Sequence, residues 1–308
     1  MKKEHDDINF SEMTTILQKI QYASLYCLGA TIRFLGTKIT YGIADFFAFL
    51  AWHLLRKRRK LTICSLAEHL HIGFYDAKKI AYKSFQSTFR SFSEIGLTKD
   101  FGIELTGKKL FIADEDLWKR FQESERAIVA ATGHYGSWEL LASLLGQVFP
   151  EERPRMVVVR KYPNPAVQQF IANQREARGA SMIGHRAVAT SVLRALRKNG
   201  LVAFLIDHKS LSHESYIIPF LEENARVNIG PALLAVRAEA LIWPIFLERT
   251  SNGYLLHLQE PLDTKTLEGT SEQKIKMAAT FYTKAMEKQI LYNPEQWFWM
   301  HNRWDKKY

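Results

Sequence analysis

From Arg126 onward, short apolar runs rich in β-formers alternate with segments of helical spacing, and a chain that repeats this pattern has few folds open to it. The runs fall at 127–132 (AIVAAT), 156–160 (MVVVR), 201–207 (LVAFLID) and 241–247 (LIWPIFL), with a further strand expected at 255–258. Helical stretches lie between and around them, near 137–149, 165–178, 187–198 and 231–238, and a late helix covers 271–292. Such alternation predicts an α/β fold, with a mostly parallel central sheet flanked by helices. The 308 residues allow one large α/β domain or about two ordinary ones. A hydrophobic share of 47% supplies a core and excludes a disordered chain.

The front of the chain has a different character. Residues 1–12 are charged and polar and do not resemble the start of a cleaved signal peptide. From about Ile20 the chain is apolar, broken by Arg33, Lys38 and Asp45. Its cleanest piece is 41–55 (YGIADFFAFLAWHLL), which carries Phe46, Phe47, Phe49 and Trp52 and runs into RKRRK at 56–60. Fifteen residues are short for a span, which needs roughly 17–25. Aromatics beside a basic run nevertheless suit a helix that meets anionic headgroups. We therefore expect membrane attachment through residues 20–55, as one short span or an interfacial helical pair; a buried core helix with a solvated basic end is the alternative. Residues 61–98 have helical spacing. The expected division is a membrane-anchoring region at 1–60 and a catalytic domain at 61–308. With only Cys27 and Cys64 there is no disulfide framework, which fits a reducing compartment.

The stretch 130–141 (AATGHYGSWELL) carries the chemistry. A strand ends at Thr132, Gly133 permits a turn, and His134 stands at the strand's carboxyl end, where open α/β sheets gather ligands. Glu139 opens the next helix and can fold back towards the imidazole, fixing its tautomer and leaving the other nitrogen as a base. Taken alone, a His-x4-Glu spacing more often marks a helix cap and a solvated carboxylate; the preceding strand and glycine are what lift it. Arg160 ends a second strand, where a guanidinium can hold phosphate in bidentate fashion, and Asp207 ends a third, placed to pair with or orient Arg160. A surface Asp capping a turn explains Asp207 equally well. Gly230-Pro231 opens a helix whose first N–H groups can face an anion, or simply begins a helix. No His-Glu-x-x-His or cysteine cluster is present, so no metal is expected, and no Gly-x-Ser-x-Gly elbow is present either.

The net charge of +10 points to an anionic partner, whether nucleic acid, membrane or phosphorylated substrate. Between Arg153 and Lys209 eleven Lys or Arg face only Glu176 and Asp207, a net of +9. Motifs that interleave aromatics with basic residues for nucleic acid are absent, and no nucleic-acid partner is expected.

Five blocks, GHYGSWE (133–139), VVVRKYPNP (157–165), LVAFLIDHK (201–209), IPFLEENARVNIGPALLAVRAEALIWPIF (218–246) and PEQWFWMHNRW (294–304), occur in the order seen in bacterial lipid A late acyltransferases of the lauroyl and myristoyl type, and the chain resembles that family over most of its length. The resemblance implies a glycerol-3-phosphate-acyltransferase-like fold and a membrane-bound O-acyltransferase at the cytoplasmic face of the bacterial inner membrane. It implies transfer of a fatty acyl chain from a thioester donor, acyl carrier protein or acyl-CoA, to a hydroxyl of a lipid A precursor, with no further cofactor. The family's His-x4-Asp/Glu falls on His134 and Glu139 as catalytic residues, its strand-ending Arg on Arg160 and its later Asp on Asp207 as substrate-binding residues. Relatives carry Asp-Gln where this chain has Asp207-His208, and Phe-Phe-Gly where Pro219 is followed by Phe220-Leu221-Glu222; the exact acceptor therefore stays open. A lysophospholipid or another glycolipid as acceptor, and a thioester hydrolase, are the alternatives. His301 and Arg303 match a family His-x-Arg and are assigned to packing of the Trp-rich tail.

Overall fold

The computed structural model describes residues 15–159, 162–184 and 188–306. Three helices open the chain: α1 (Ile16–Leu54), α2 (Arg56–His69) and α3 (Phe74–Glu94). The α/β body follows as β1 (Leu110–Ile112), α4 (Glu115–Gln122), β2 (Ile128–Thr132), α5 (Trp138–Leu145), β3 (Arg155–Val159), α6 (Pro165–Glu176), β4 (Ser181–Gly184), α7 (Val188–Leu196) and β5 (Leu201–Leu205). It is completed by β6 (Ser215–Phe220), β7 (Glu223–Asn228), α8 (Gly230–Arg237), β8 (Leu241–Thr250), β9 (Gly253–Leu258), β10 (Leu262–Asp263) and α9 (Ser271–Tyr292).

The main sheet has the order β1-β9-β8-β2-β5-β3-β4, with β10 paired to β8. The β8-β9 and β8-β10 pairs are antiparallel and the other ladders parallel. The fold is thus α/β with a mostly parallel sheet flanked by helices. All five residues of β2 are buried, as a central parallel strand covered on both faces requires. Its side chains alternate: Val129 and Ala131 enter the core layer that holds α3, α8 and α9, whereas Ile128 and Ala130 enter the layer that holds α4 and α5.

The expected strands and helices of the body are present with ends shifted by a few residues. The structure adds the hairpin β6–β7, the short β1, β4 and β10, and α4. The hairpin turns at Leu221 (φ 50°) and Glu222 (φ 64°), both in the left-handed region that a two-residue type I′ turn demands. Neither residue is glycine; the strain is offset by a bond from the Leu221 amide to Glu287 (2.8 Å) and by His71 on Glu222 (2.6 Å).

At the front, a capping box at Thr15 starts α1. Its helical path breaks at Gly36 (φ 71°, ψ 173°), so two helical pieces meet at a kink. By length and composition α1 is long and apolar enough to cross a membrane, and only 22% of its most apolar window is buried. Phe34 is 89% exposed, and Phe46, Phe47 and Phe49 are about half exposed. A core helix would have these side chains covered. The face that is covered, through Ala44, Ala48, Ala51 and Trp52, belongs to the same core as Phe85 of α3.

Candidate functional site

Parallel register puts the site together. Thr132 of β2 lies opposite Leu205 of β5, so His134 and Asp207, each two residues past its strand, stand level at the sheet's carboxyl edge. The Ile206 amide donates to the Thr132 carbonyl at 2.8 Å and extends the ladder to that edge. His134 Nδ1 meets Asp207 Oδ1 at 2.9 Å, and the His134 backbone amide donates to Asp207 Oδ2 at 2.8 Å. The Trp297 indole N–H donates to the same Oδ2, also at 2.8 Å.

The carboxylate accepts the Nδ1 proton, which leaves Nε2 with its lone pair. No described residue hydrogen-bonds Nε2. The imidazole is 25% exposed while Asp207 is completely buried, so the ring opens outward and its partner does not. Trp138 and Phe298 flank the ring, with centroids 5.4 and 5.9 Å away.

Burial acts against a charged His134, but the charge and hydrogen bond of Asp207 outweigh it, and the imidazole titrates above its ordinary value. Burial alone would raise Asp207; the charge and hydrogen bond of His134, then His301 and the Trp297 indole, hold it well below the usual carboxylate range. His301 is pushed down to about 4, chiefly by burial, and is neutral near pH 7.

The expected bond from Glu139 to the imidazole does not form. Glu139 is buried in the first turn of α5, and Arg175 of α6 grips both its oxygens, Nε to Oε2 at 2.8 Å and Nη2 to Oε1 at 2.7 Å. The reason is geometric. The turn of α5 sends Glu139 behind the strand edge towards α6, while β5 delivers Asp207 directly beside the ring. Glu139 reaches His134 only through its field, which raises the imidazole less than Asp207 does. Among the described residues, the partners of Asp207 are His134 and Trp297. Arg160 lies outside the described residues, directly after the last residue of β3.

The turn that carries His134 is tightly held. Gly136 has φ 55°, and a Cβ there would lie 2.1 Å from the Leu247 carbonyl oxygen; only glycine fits. Gly133 is less confined: a Cβ there would lie 2.6 Å from Met286 Sδ, the end of a flexible side chain, and 3.0 Å from Asp207 Oδ2. The Gly136 amide donates to the Gln296 carbonyl (2.9 Å) and the Ser137 amide to that of Leu247 (2.8 Å).

Beneath the turn sits a buried cluster that sequence reasoning missed. Arg249 pairs with Glu94 (2.9 Å), Glu94 accepts from the Ser137 hydroxyl (2.9 Å), and Arg249 also donates to the Gly136 carbonyl (3.4 Å). Tyr41 of α1 bonds Glu94 and meets the Tyr254 hydroxyl at 2.9 Å. The four residues come from α1, α3, β8 and β9, and nothing in their spacing announces the meeting. Gly230-Pro231 starts α8, where the Asn228 side chain accepts from the Gly230 amide at 2.7 Å.

The model of the family described as bacterial lipid A biosynthesis acyltransferase matches residues 9–306. The chain belongs to this family. It is 26% identical over 275 residues, 88% of this chain and 83% of the relative, to a lipid A biosynthesis palmitoleoyltransferase of Escherichia coli K12. It is 24% identical over 258 residues, 82% of this chain and 81% of the relative, to a lipid A biosynthesis lauroyltransferase of the same organism. A phosphatidylinositol mannoside acyltransferase of Mycolicibacterium smegmatis is 23% identical over 165 residues, 52% of this chain and 53% of the relative. As a member of the lipid A acyltransferases the chain is an O-acyltransferase, with an acyl donor and a lipid acceptor.

Proposed function

We propose that this acyltransferase moves a fatty acyl chain from the thioester of acyl carrier protein or acyl-CoA to a hydroxyl of a lipid A precursor, at the cytoplasmic face of the inner membrane, with His134 as general base. The observation that carries this reading is the His134–Asp207 pair at the carboxyl edge of the sheet, its Nε2 lone pair turned to the open side.

His134 Nε2 takes the proton of the acceptor hydroxyl as that oxygen attacks the thioester carbonyl. Asp207 stabilises the imidazolium that results, the role the acid has in a Ser-His-Asp triad. Collapse of the tetrahedral intermediate breaks the C–S bond, and the departing thiolate takes the proton back from His134. Because the substrate supplies the hydroxyl, no covalent enzyme intermediate is required. Arg160, next in sequence after β3, is our candidate for holding a substrate phosphate or steadying charge on the thioester oxygen. Glu139 and Arg175 tie α5 to α6 behind the ring. Membrane attachment through α1 rests on its exposed apolar face and on the basic run that begins α2.

Purified protein with acyl thioesters and lipid acceptors, its products identified by mass spectrometry, tests the reading. We expect an esterified lipid A precursor and, in His134→Ala that still folds, a loss on the order of 10²–10⁴ in rate. Near-normal turnover by that variant rejects the mechanism. Free fatty acid as the main product establishes a hydrolase instead, and preferred acylation of a lysophospholipid or another glycolipid changes the acceptor.

A further inference from the structure

A groove of about 570 Å³ runs between α1 and α3, on the outer side of the helical front. This volume is in the range of ligand pockets, roughly 300–1,000 Å³. Phe49, Trp52, Tyr75 and Tyr82 line it together with Lys78 and Lys79. The apolar part continues onto the exposed face of α1, since Phe49 is 48% exposed and neighbours Phe46 at 58%.

The charged part is unbalanced. Over 74–86 three lysines stand against Asp76 alone. Lys83 is committed to Glu295 at 2.7 Å. Lys78 and Lys79 make no ion pair among the described residues; Lys79 lies 4.2 Å from the Tyr75 ring centroid, where the aromatic face holds its ammonium beside the groove. On the other side the Arg59 guanidinium lies 5.6 Å from the Trp52 ring. An aromatic floor open to the exposed face of α1, with two ammonium groups at its rim that no described carboxylate neutralises, matches a ligand that is apolar at one end and singly or doubly anionic at the other.

We propose that this groove binds one anionic phospholipid, its phosphate between Lys78 and Lys79 and an acyl chain along Phe49 and Trp52. The proposal rests on the reading of α1 as a membrane-attaching helix. Phosphatidylglycerol supplies the required chemistry, one phosphodiester charge and two acyl chains. Bound there it fixes α1 against α3, whose far end packs Phe92 against Trp138 beside His134.

The test uses the full chain with phosphatidylcholine vesicles that hold a minor fraction of lipid brominated on its acyl chains, either phosphatidylglycerol or phosphatidylcholine. Bromine quenches nearby indoles, and subtraction of the Trp52→Phe signal isolates the share of Trp52. We expect brominated phosphatidylglycerol to quench Trp52 more strongly than brominated phosphatidylcholine, by about fivefold per lysine engaged. The ratio should fall towards one in Lys78→Gln/Lys79→Gln and persist in Lys57→Gln/Lys60→Gln, which removes the same charge from α2. A ratio near one in the unaltered protein, or an equal loss in both double variants, overturns the groove as a specific site. Flotation with neutral and with phosphatidylglycerol-containing vesicles separates the two readings. Protein that floats yet shows no preference in quenching defeats the groove alone, and protein that floats with neither kind of vesicle defeats membrane attachment and the groove with it.

Discussion

Two carboxylates raise the pKa of the same imidazole, Asp207 by contact and Glu139 by its field, and the molecule holds them differently. Asp207 follows β5, the strand next to the one that precedes His134, and gives one oxygen to the ring and the other to a backbone amide and an indole. Glu139 is only five residues from His134 in sequence, yet both its oxygens belong to Arg175. Adjacency in a parallel sheet thus decides the contact that proximity in sequence does not. We propose two kinds of work for them: the Asp207 pair has an open imidazole and can exchange a proton, whereas the buried Glu139–Arg175 pair ties α5 to α6.

The strongest way to break this contrast is Asp207→Asn. It keeps the shape but offers an amide N–H or carbonyl where the ring needs a carboxylate, so turnover should fall on the order of 10³–10⁴ while the protein stays folded. Steady-state kinetics on purified protein check this, and a loss under tenfold would place the orienting role elsewhere. Glu139→Gln should act on stability instead. It leaves Arg175 buried without its counter-charge, at a cost of about 3–5 kcal/mol, visible as a fall in the unfolding midpoint, while turnover per folded molecule drops far less than in Asp207→Asn.

A pH profile sharpens the contrast further. The charge of Asp207 raises His134, and a general base works only when deprotonated, so activity should climb with pH along a limb that lies above the ordinary histidine value near 6.5. Removal of the anion lowers the imidazole pKa; the limb of Asp207→Asn must shift to lower pH beneath a much lower plateau. A limb that stays in place would mean that another group titrates. Ser137→Ala gives the smallest effect. It removes one donor from Glu94 under the catalytic turn, about 1 kcal/mol in stability with a modest decrease in kcat and an unchanged KM.

Much of this architecture is legible in the residues. The runs at 127–132 and 201–207 mark two strands because a covered parallel strand must be apolar on both faces. Their ends place His134 and Asp207 at one edge once the strands are known to run parallel. Strand order is what a single sequence withholds: nothing in LVAFLID says that it lies beside AIVAAT, so the contact of Asp207 with His134 has no signal in the residues. The meeting of Tyr41, Glu94, Arg249 and Tyr254 is hidden for the same reason, since partners from four elements share no spacing. The turn at Leu221-Glu222 has no glycine to announce its positive φ values and depends on Glu287 and His71, far away in the chain.

The account turns on His134 and Asp207 acting as one unit. A double-mutant cycle on the acyl-transfer rate, with His134→Ala, Asp207→Asn and both together, tests this most directly. We predict that the double variant is no slower than His134→Ala alone, because the carboxylate has no role once the imidazole is gone. Losses that multiply, with the double variant slower by the product of the two single effects, would contradict it.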